Sequence, residues 1–156
     1  MSKVPITRIG YRRLLRDLLI LRRDVRPAVL EELQEARAFG VRLDNQQYLA
    51  ARERHVVLQR RILELEQKLA GCEIAVGRRV IIKQAGFGAV IRIRNVDTGE
   101  TASYELVGPY ESDVSDGKLS IDSPVGRCLL GRREGEEVTV YAPSGMRIYR
   151  ILSIEV

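Results

Sequence analysis

Tryptophan is absent from this 156-residue chain and aromatic residues are only 5% of it, which removes the stacking platform that sequence-tolerant single-strand binders use. A single histidine, His55, excludes any zinc site built on two imidazoles and leaves one candidate for a histidine-dependent triad. The two cysteines, Cys72 and Cys128, lie far apart, form no C-x-x-C and match no disulfide framework, so a reducing cytosol is the expected compartment. Phosphate-cradling glycine motifs are missing too: there is no GxxxxGK[ST] and no GxGxxG after a strand. The longest aliphatic run, Leu18-Leu19-Ile20-Leu21, is flanked by charge and falls far short of the roughly 18 residues a membrane helix needs. Met1-Ser2-Lys3-Val4-Pro5 holds no apolar stretch of a secretory leader. A cytoplasmic chain without a membrane segment is expected, and binding is favoured over self-contained catalysis.

Charge divides the sequence. Residues 1–70 carry 15 Lys and Arg against 9 Asp and Glu, whereas residues 71–156 carry 11 against 12. The net charge of +5 therefore belongs to the first half, as a directed basic arm rather than an evenly basic coat.

Helical periodicity lies in the same half. Tyr48, Ala51, His55, Leu58, Ile62, Leu65 and Leu69 step by alternating threes and fours, a heptad seam whose one unusual member, His55, is expected as a packed core histidine. Upstream, Tyr11, Leu14, Leu18, Leu21 and Val25 step likewise, and Val29, Leu33 and Ala36 continue after an extra residue near Pro27. That irregularity reads as a stutter or kink. The numbers of Leu14/Leu69, Leu18/Leu65, Leu21/Ile62 and Val25/Leu58 share one sum. Those of Val29/His55, Leu33/Ala51 and Ala36/Tyr48 share a sum one higher. A constant sum is the arithmetic of an antiparallel pair, with its turn at residues 40–45. Gly40 is then the residue past the first helix, and Asp44 or Asn45 caps the second. A helix from about residue 8 to 39 would be roughly 45 Å long at 1.5 Å per residue.

The second half has a strand grammar. Short β-rich runs at Val80–Lys83, Ala89–Arg94, Ala102–Val107, Glu137–Tyr141 and Arg147–Ile154 alternate with turn signals. Pro124–Leu130 reads as one short helix before Gly131, with Ser123 as its cap. The fold class is α+β: a long antiparallel coiled-coil hairpin at 1–73, then a small β-sheet domain with one short helix at 77–156.

Several ordered fragments carry a family resemblance. In the first half they are Pro5-Ile6-Thr7, Gly10-Tyr11, Leu14, Arg26-Pro27, Ala36-Arg37 before Gly40, and Asn45 and Tyr48 leading into Ala50-Ala51-Arg52-Glu53. In the second they are Phe87-Gly88-Ala89, Thr98-Gly99-Glu100, Leu106-Val107-Gly108 before Glu111 and Asp113, Gly135-Glu136 and Pro143-Ser144-Gly145. The strongest is Leu119-Ser120-Ile121-Asp122-Ser123-Pro124-Val125-Gly126-Arg127 with Leu129-Leu130-Gly131-Arg132. In this order and spacing the chain resembles the bacterial Gre transcript-cleavage factors over nearly its whole length.

The resemblance implies a second domain of FKBP-like fold and a partner, bacterial RNA polymerase, met by a monomer. Asp122, Ser123 and Pro124 would grip the rim of the polymerase secondary channel while the hairpin enters it. Arg37 and Arg52 would face the channel wall or nascent RNA. The chain would have no metal or cofactor of its own; tip carboxylates of the family help hold a Mg²⁺ of the polymerase, which itself cuts the RNA. Two-metal hydrolysis needs carboxylates at fixed separation.

Here the tip departs from the family. Cleaving members read Gly-Asp-Leu-x-Glu-Asn, whereas this chain reads Gly40-Val41-Arg42-Leu43-Asp44-Asn45, followed by Gln47 where a later acid stands. Val41 replaces the first acid, Asp44 is one methylene shorter than the second, and Arg42 competes for its carboxylate. Asp44 is thus the one tip carboxylate that could share the polymerase Mg²⁺. The expectation is an elongation regulator with weakened or absent cleavage stimulation; the alternative is a fully competent cleavage factor working through Asp44. An FKBP-like domain also raises prolyl isomerisation, for which Phe87, Tyr104, Tyr110, Tyr141 and Tyr149 would have to line a pocket.

Overall fold

The computed structural model describes residues 3–40, 45–75 and 84–155. The first helical leg runs as α1 (Arg8–Ile20), a π-helical turn (Leu21–Val25) and α2 (Arg26–Ala38); the return leg is α3 (Gln46–Gly71). The π turn is the physical form of the irregularity read near Pro27. Proline has no N–H to donate and its ring crowds the carbonyl one turn back, so the chain widens, and the Arg26 N–H bonds to the Leu21 carbonyl instead. A wider turn absorbs one extra residue, as the change of sum between the two halves of the seam requires.

The legs pack through that seam. Leu18, Leu58, Ile62 and Leu65 form one buried cluster, joined by the partly buried Leu14, Leu21, Val25, Val29 and Leu69. Leu33, Ala36, Tyr48 and Ala51 form a second towards the turn. His55 differs from expectation: it is half-buried, belongs to neither cluster, and meets the Gln59 amide one turn on at 3.3 Å. An imidazole can keep one polar edge wet at the rim of a seam, where a leucine would be drawn in.

The larger sheet has five strands in the order β5-β4-β3-β7-β6. These are β3 (Val90–Asn95), β4 (Thr101–Val107), β5 (Lys118–Ser120), β6 (Glu137–Ala142) and β7 (Gly145–Glu155), with α4 (Pro124–Leu129) between β5 and β6. Neighbours are antiparallel except β4 and β5. Alternation buries Ile91 and Ile93 of β3 and Val138 and Val140 of β6, leaving their strand neighbours outward. On β7, Ile151 and Ile154 are both buried although three apart. A register shift opposite Arg92/Ile93 places one extra residue there and returns both side chains to one face. With Leu106, Leu119 and Leu129 they make the main core. The strand expected at Val80–Lys83 lies outside the described residues.

The hairpin unit ends at Gly71, two residues short of the expected 73, but begins at Tyr11 rather than at residue 1. One compact unit is Tyr11–Gly71; the other joins Met1–Gly10 to Cys72–Val156. The sequence places the first ten residues with the hairpin, but β1 (Val4–Ile6) pairs in parallel with β2 (Cys72–Ile74), and Ile6 is fully buried. Glu111 fixes the start of α1 within this unit. Its carboxylate accepts from the Thr7 N–H (2.7 Å), the Thr7 hydroxyl (2.5 Å) and the Gly108 N–H (3.0 Å), and Thr7 Oγ1 in turn accepts from the Gly10 N–H (3.0 Å). Thr7 is therefore the N-cap of α1, oriented by Glu111.

Candidate functional site

The sequence points to two places, the end of the hairpin and the loop before α4. At the hairpin end, Gly40 takes φ +103°, a left-handed conformation strained for other residues, and its N–H bonds to the Arg37 carbonyl at 2.9 Å. Asn45 answers the question of the second cap. Its Oδ1 accepts from the Tyr48 N–H at 3.1 Å, while its Nδ2 donates to the carbonyls of Gly40 (2.6 Å) and Ala36 (3.1 Å). One amide thus satisfies a free donor of α3 and ties it to two carbonyls at the end of α2, that of Ala36 being shared with the Phe39 N–H. The cap of α3 is Asn45. The other tip residues, Val41, Arg42, Leu43 and Asp44, lie outside the described residues.

Arg37 and Arg52 are exposed on α2 and α3. Ion pairs Arg54–Glu32 and Arg22–Glu66 cross between the legs, with side chains about half exposed. Pairs so exposed contribute at most about 1 kcal/mol each and serve mainly to fix register. Among the described residues no group of three His, Cys, Asp or Glu side chains could hold a metal ion.

In the loop before α4, the Ser123 hydroxyl donates to the Ser120 carbonyl at 2.6 Å and accepts from the Gly126 N–H at 3.1 Å; the Asp122 N–H donates to Ser120 Oγ at 3.1 Å. Pro124 occupies the first turn of the helix, where the missing N–H costs nothing. Gly126 is required by close approach, since a Cβ there would lie 2.0 Å from the Ser120 carbonyl oxygen. The three residues grouped by the sequence therefore divide. Ser123 is turned inward as the cap, while Asp122 and Pro124 are exposed on a loop whose backbone is held from three sides.

Leu119 and Val125, on either side of this loop, also line a cavity of about 350 Å³ with Tyr104, Tyr149, Val114 and Arg147. Val114 is 62% exposed at its mouth. Of the tyrosines considered for a prolyl-isomerase pocket, Tyr104 and Tyr149 line it, whereas Tyr141 is 78% exposed on β6 and absent from its lining. Cys128 is half-buried, its Sγ 3.6 Å from the Thr139 carbonyl. Cys72 is buried in β2, and loss of hydration pushes its thiol pKa up, with the negative charge of Glu111 adding to the effect.

A family model described as "Transcription elongation factor, N-terminal" matches residues 4–74, and one described as "Transcription elongation factor, GreA/GreB, C-term" matches residues 81–156. The chain belongs to the GreA/GreB family of transcription elongation factors. The N-terminal match of this Gre-family chain begins at the first residue of β1 and ends at the last of β2, so it takes in the parallel pair as well as the hairpin. The transcription elongation factor GreA of Syntrophobacter fumaroxidans is 42% identical over 154 residues, covering 99% of both chains. That of Nitrosococcus oceani is 41% identical over 155 residues, covering 99% of this chain and 98% of the relative. Among solved structures, GreA factor homolog 1 of Thermus thermophilus is 29% identical over 99% of this chain and 100% of its own, with a TM-score of 0.45.

Sequence reasoning missed two features. Glu111 appeared in it only as one residue of a motif, because its partners Thr7 and Gly10 lie a hundred residues away. The outward face of α1 was counted only as charge.

Proposed function

We propose that this Gre-family factor binds bacterial RNA polymerase through the Asp122–Pro124 loop and the adjoining cavity. The hairpin passes through the secondary channel, and its end stimulates transcript cleavage weakly or not at all. The observation that carries the reading is the composition of the turn: between Gly40 and Asn45 the chain offers one carboxylate, Asp44, beside Arg42. Bound magnesium would activate water and stabilise charge on the scissile phosphate, and a chain that helps hold it needs paired oxygen ligands. This turn supplies one short ligand, and the nearest other carboxylates, Glu35 and Glu53, are exposed on α2 and α3. The polymerase remains the enzyme, and the factor acts by occupying its channel.

The held loop supports the grip. Asp122 and Pro124 point outward from a backbone already fixed by Ser120, Ser123 and Gly126, so docking there sacrifices little conformational freedom. One observation favours the second reading, a competent factor. Asn45 is the cap of α3, so the start of that helix does not call on Asp44 for a capping side chain.

A stalled, backtracked elongation complex separates the two. The expected result is binding to the complex with transcript shortening at least tenfold slower than with a two-acid tip, and recovery when Val41→Asp is combined with Asp44→Glu. Rapid shortening by the wild type that Asp44→Ala abolishes would establish the second reading instead.

A further inference from the structure

We infer that the outward face of α1 and the π turn is a second docking surface, fitted to an acidic amphipathic helix of the polymerase. The inference rests on the polymerase reading above and adds a contact to it. On the inward side, Leu14, Leu18, Leu21 and Val25 belong to the seam. The remaining aliphatic residues of this stretch do not. Leu15 is 39% exposed and Ile20 43% exposed, and with Leu19 they floor a shallow trough of about 430 Å³. Arg12, Arg16 and Arg23 edge that trough, with Asp24 at one end.

A coiled-coil flank that only meets water has no use for three large aliphatic side chains on its outer face. The arginines beside them are equally unspent. Among the described residues the ion pairs between the legs use Arg22 and Arg54, and none uses Arg12, Arg16 or Arg23. Three guanidinium groups over an aliphatic floor call for an occupant with carboxylates along its edges and aliphatic side chains between them. Arg12 to Arg23 spans eleven residues, or roughly 16 Å of helix axis, so two to three turns of a partner helix would cover the trough. Nucleic acid fits less well, because no aromatic side chain lines the trough for a base to stack on. Charge at such a surface speeds encounter and rejects wrong partners, while the aliphatic floor holds the docked state.

The test uses the full chain with the photo-crosslinker p-benzoylphenylalanine at Leu15, or separately at Ile20, irradiated with core RNA polymerase. The attached peptide is identified by mass spectrometry. The expected product joins one polymerase segment that carries net negative charge and aliphatic residues at helical spacing. In parallel, the combined variant R12E/R16E/R23E should bind core polymerase at least tenfold more weakly, and R12K/R16K/R23K should bind close to wild type. Attachment to RNA, to a second copy of this chain, or to a neutral or basic polymerase segment overturns the inference. So does a triple glutamate variant that keeps its helical circular dichroism and binds like wild type; should it lose that helicity, the crosslink decides alone. Wild type that binds core polymerase with both positions uncrosslinked overturns this inference only, whereas wild type that fails to bind overturns the polymerase reading and this contact with it.

Discussion

At the end of the hairpin a single carboxamide serves both legs, so Asn45 is where one substitution should loosen the turn most. Asn45→Ala removes a cap bond to α3 and two bonds to carbonyls at the end of α2, an expected loss of about 1–2 kcal/mol. Amide exchange should rise in the turns beside residues 40 and 45 while the seam at Leu58–Leu65 stays protected. Asn45→Asp keeps the acceptor and loses the two donated bonds, and should fall between. In the loop before α4 the same logic separates structure from contact. Ser123→Ala should destabilise by about 1 kcal/mol because it is the cap. Asp122→Ala should leave urea unfolding within about 0.5 kcal/mol of wild type, yet weaken polymerase binding.

Cys72 provides a pH-dependent check at this scale. Burial raises its pKa in the folded protein, so the unfolded thiol ionises first. Its contribution to stability is therefore fully present below the unfolded pKa and is lost as pH rises through the folded one. Iodoacetamide at mildly alkaline pH should label the half-buried Cys128 well before Cys72, and the order should vanish in denaturant.

At the scale of elements, the π turn is a correction of register. The first leg has one residue more than the second between matching seam positions, and Leu21–Val25 takes it up with the aliphatic seam unbroken on either side. Deleting Asp24, an exposed residue within the turn, together with Pro27→Ala should restore ordinary helical winding with both flanks still in register. The expected outcome is unchanged or higher thermal stability by circular dichroism. Deleting one exposed residue of α3, such as Gln59, should instead misalign the seam and lower the midpoint by several degrees.

Periodicity made these helices readable: Leu14 through Leu69 declare their partners by spacing alone, and even the extra residue near Pro27 was visible. The short strands were not. Val4–Ile6, Cys72–Ile74 and Lys118–Ser120 have three residues each, too few for alternation to register, and the first two find each other across the whole hairpin. Caps were legible by type but not by choice. Asp44 and Asn45 are equally good caps on paper, and only Asn45 can also donate to carbonyls across the turn.

For the whole molecule, the consequence is a boundary that local pattern could not place. Removing residues 1–10 takes away β1 and the fully buried Ile6, along with the groups that Glu111 holds. Burial of one isoleucine is worth about 1.5–3 kcal/mol, so the truncated chain should show a lower urea midpoint for the Cys72–Val156 unit as well as for the hairpin. Glu111→Ala should produce a related loss of about 2–3 kcal/mol, because a partly buried carboxylate accepting three hydrogen bonds is removed and its donors are left unanswered. Glu111→Gln, which keeps the shape but must turn an amide towards one of those donors, should recover only part of it.

The parallel pairing of β1 with β2 also dictates an order of assembly. The rod is an insertion within the globular unit: its opening strand leaves the ribosome first and has no mate until residue 72 has been made. Closing so long a gap by chance search is slow and entropically expensive, but a hairpin zipped along its leucines brings Gly10 and Cys72 to a common end beforehand. The hairpin therefore acts as a splint for the strand pairing that follows it, and a mutation that slows the zipping should delay the sheet domain as well.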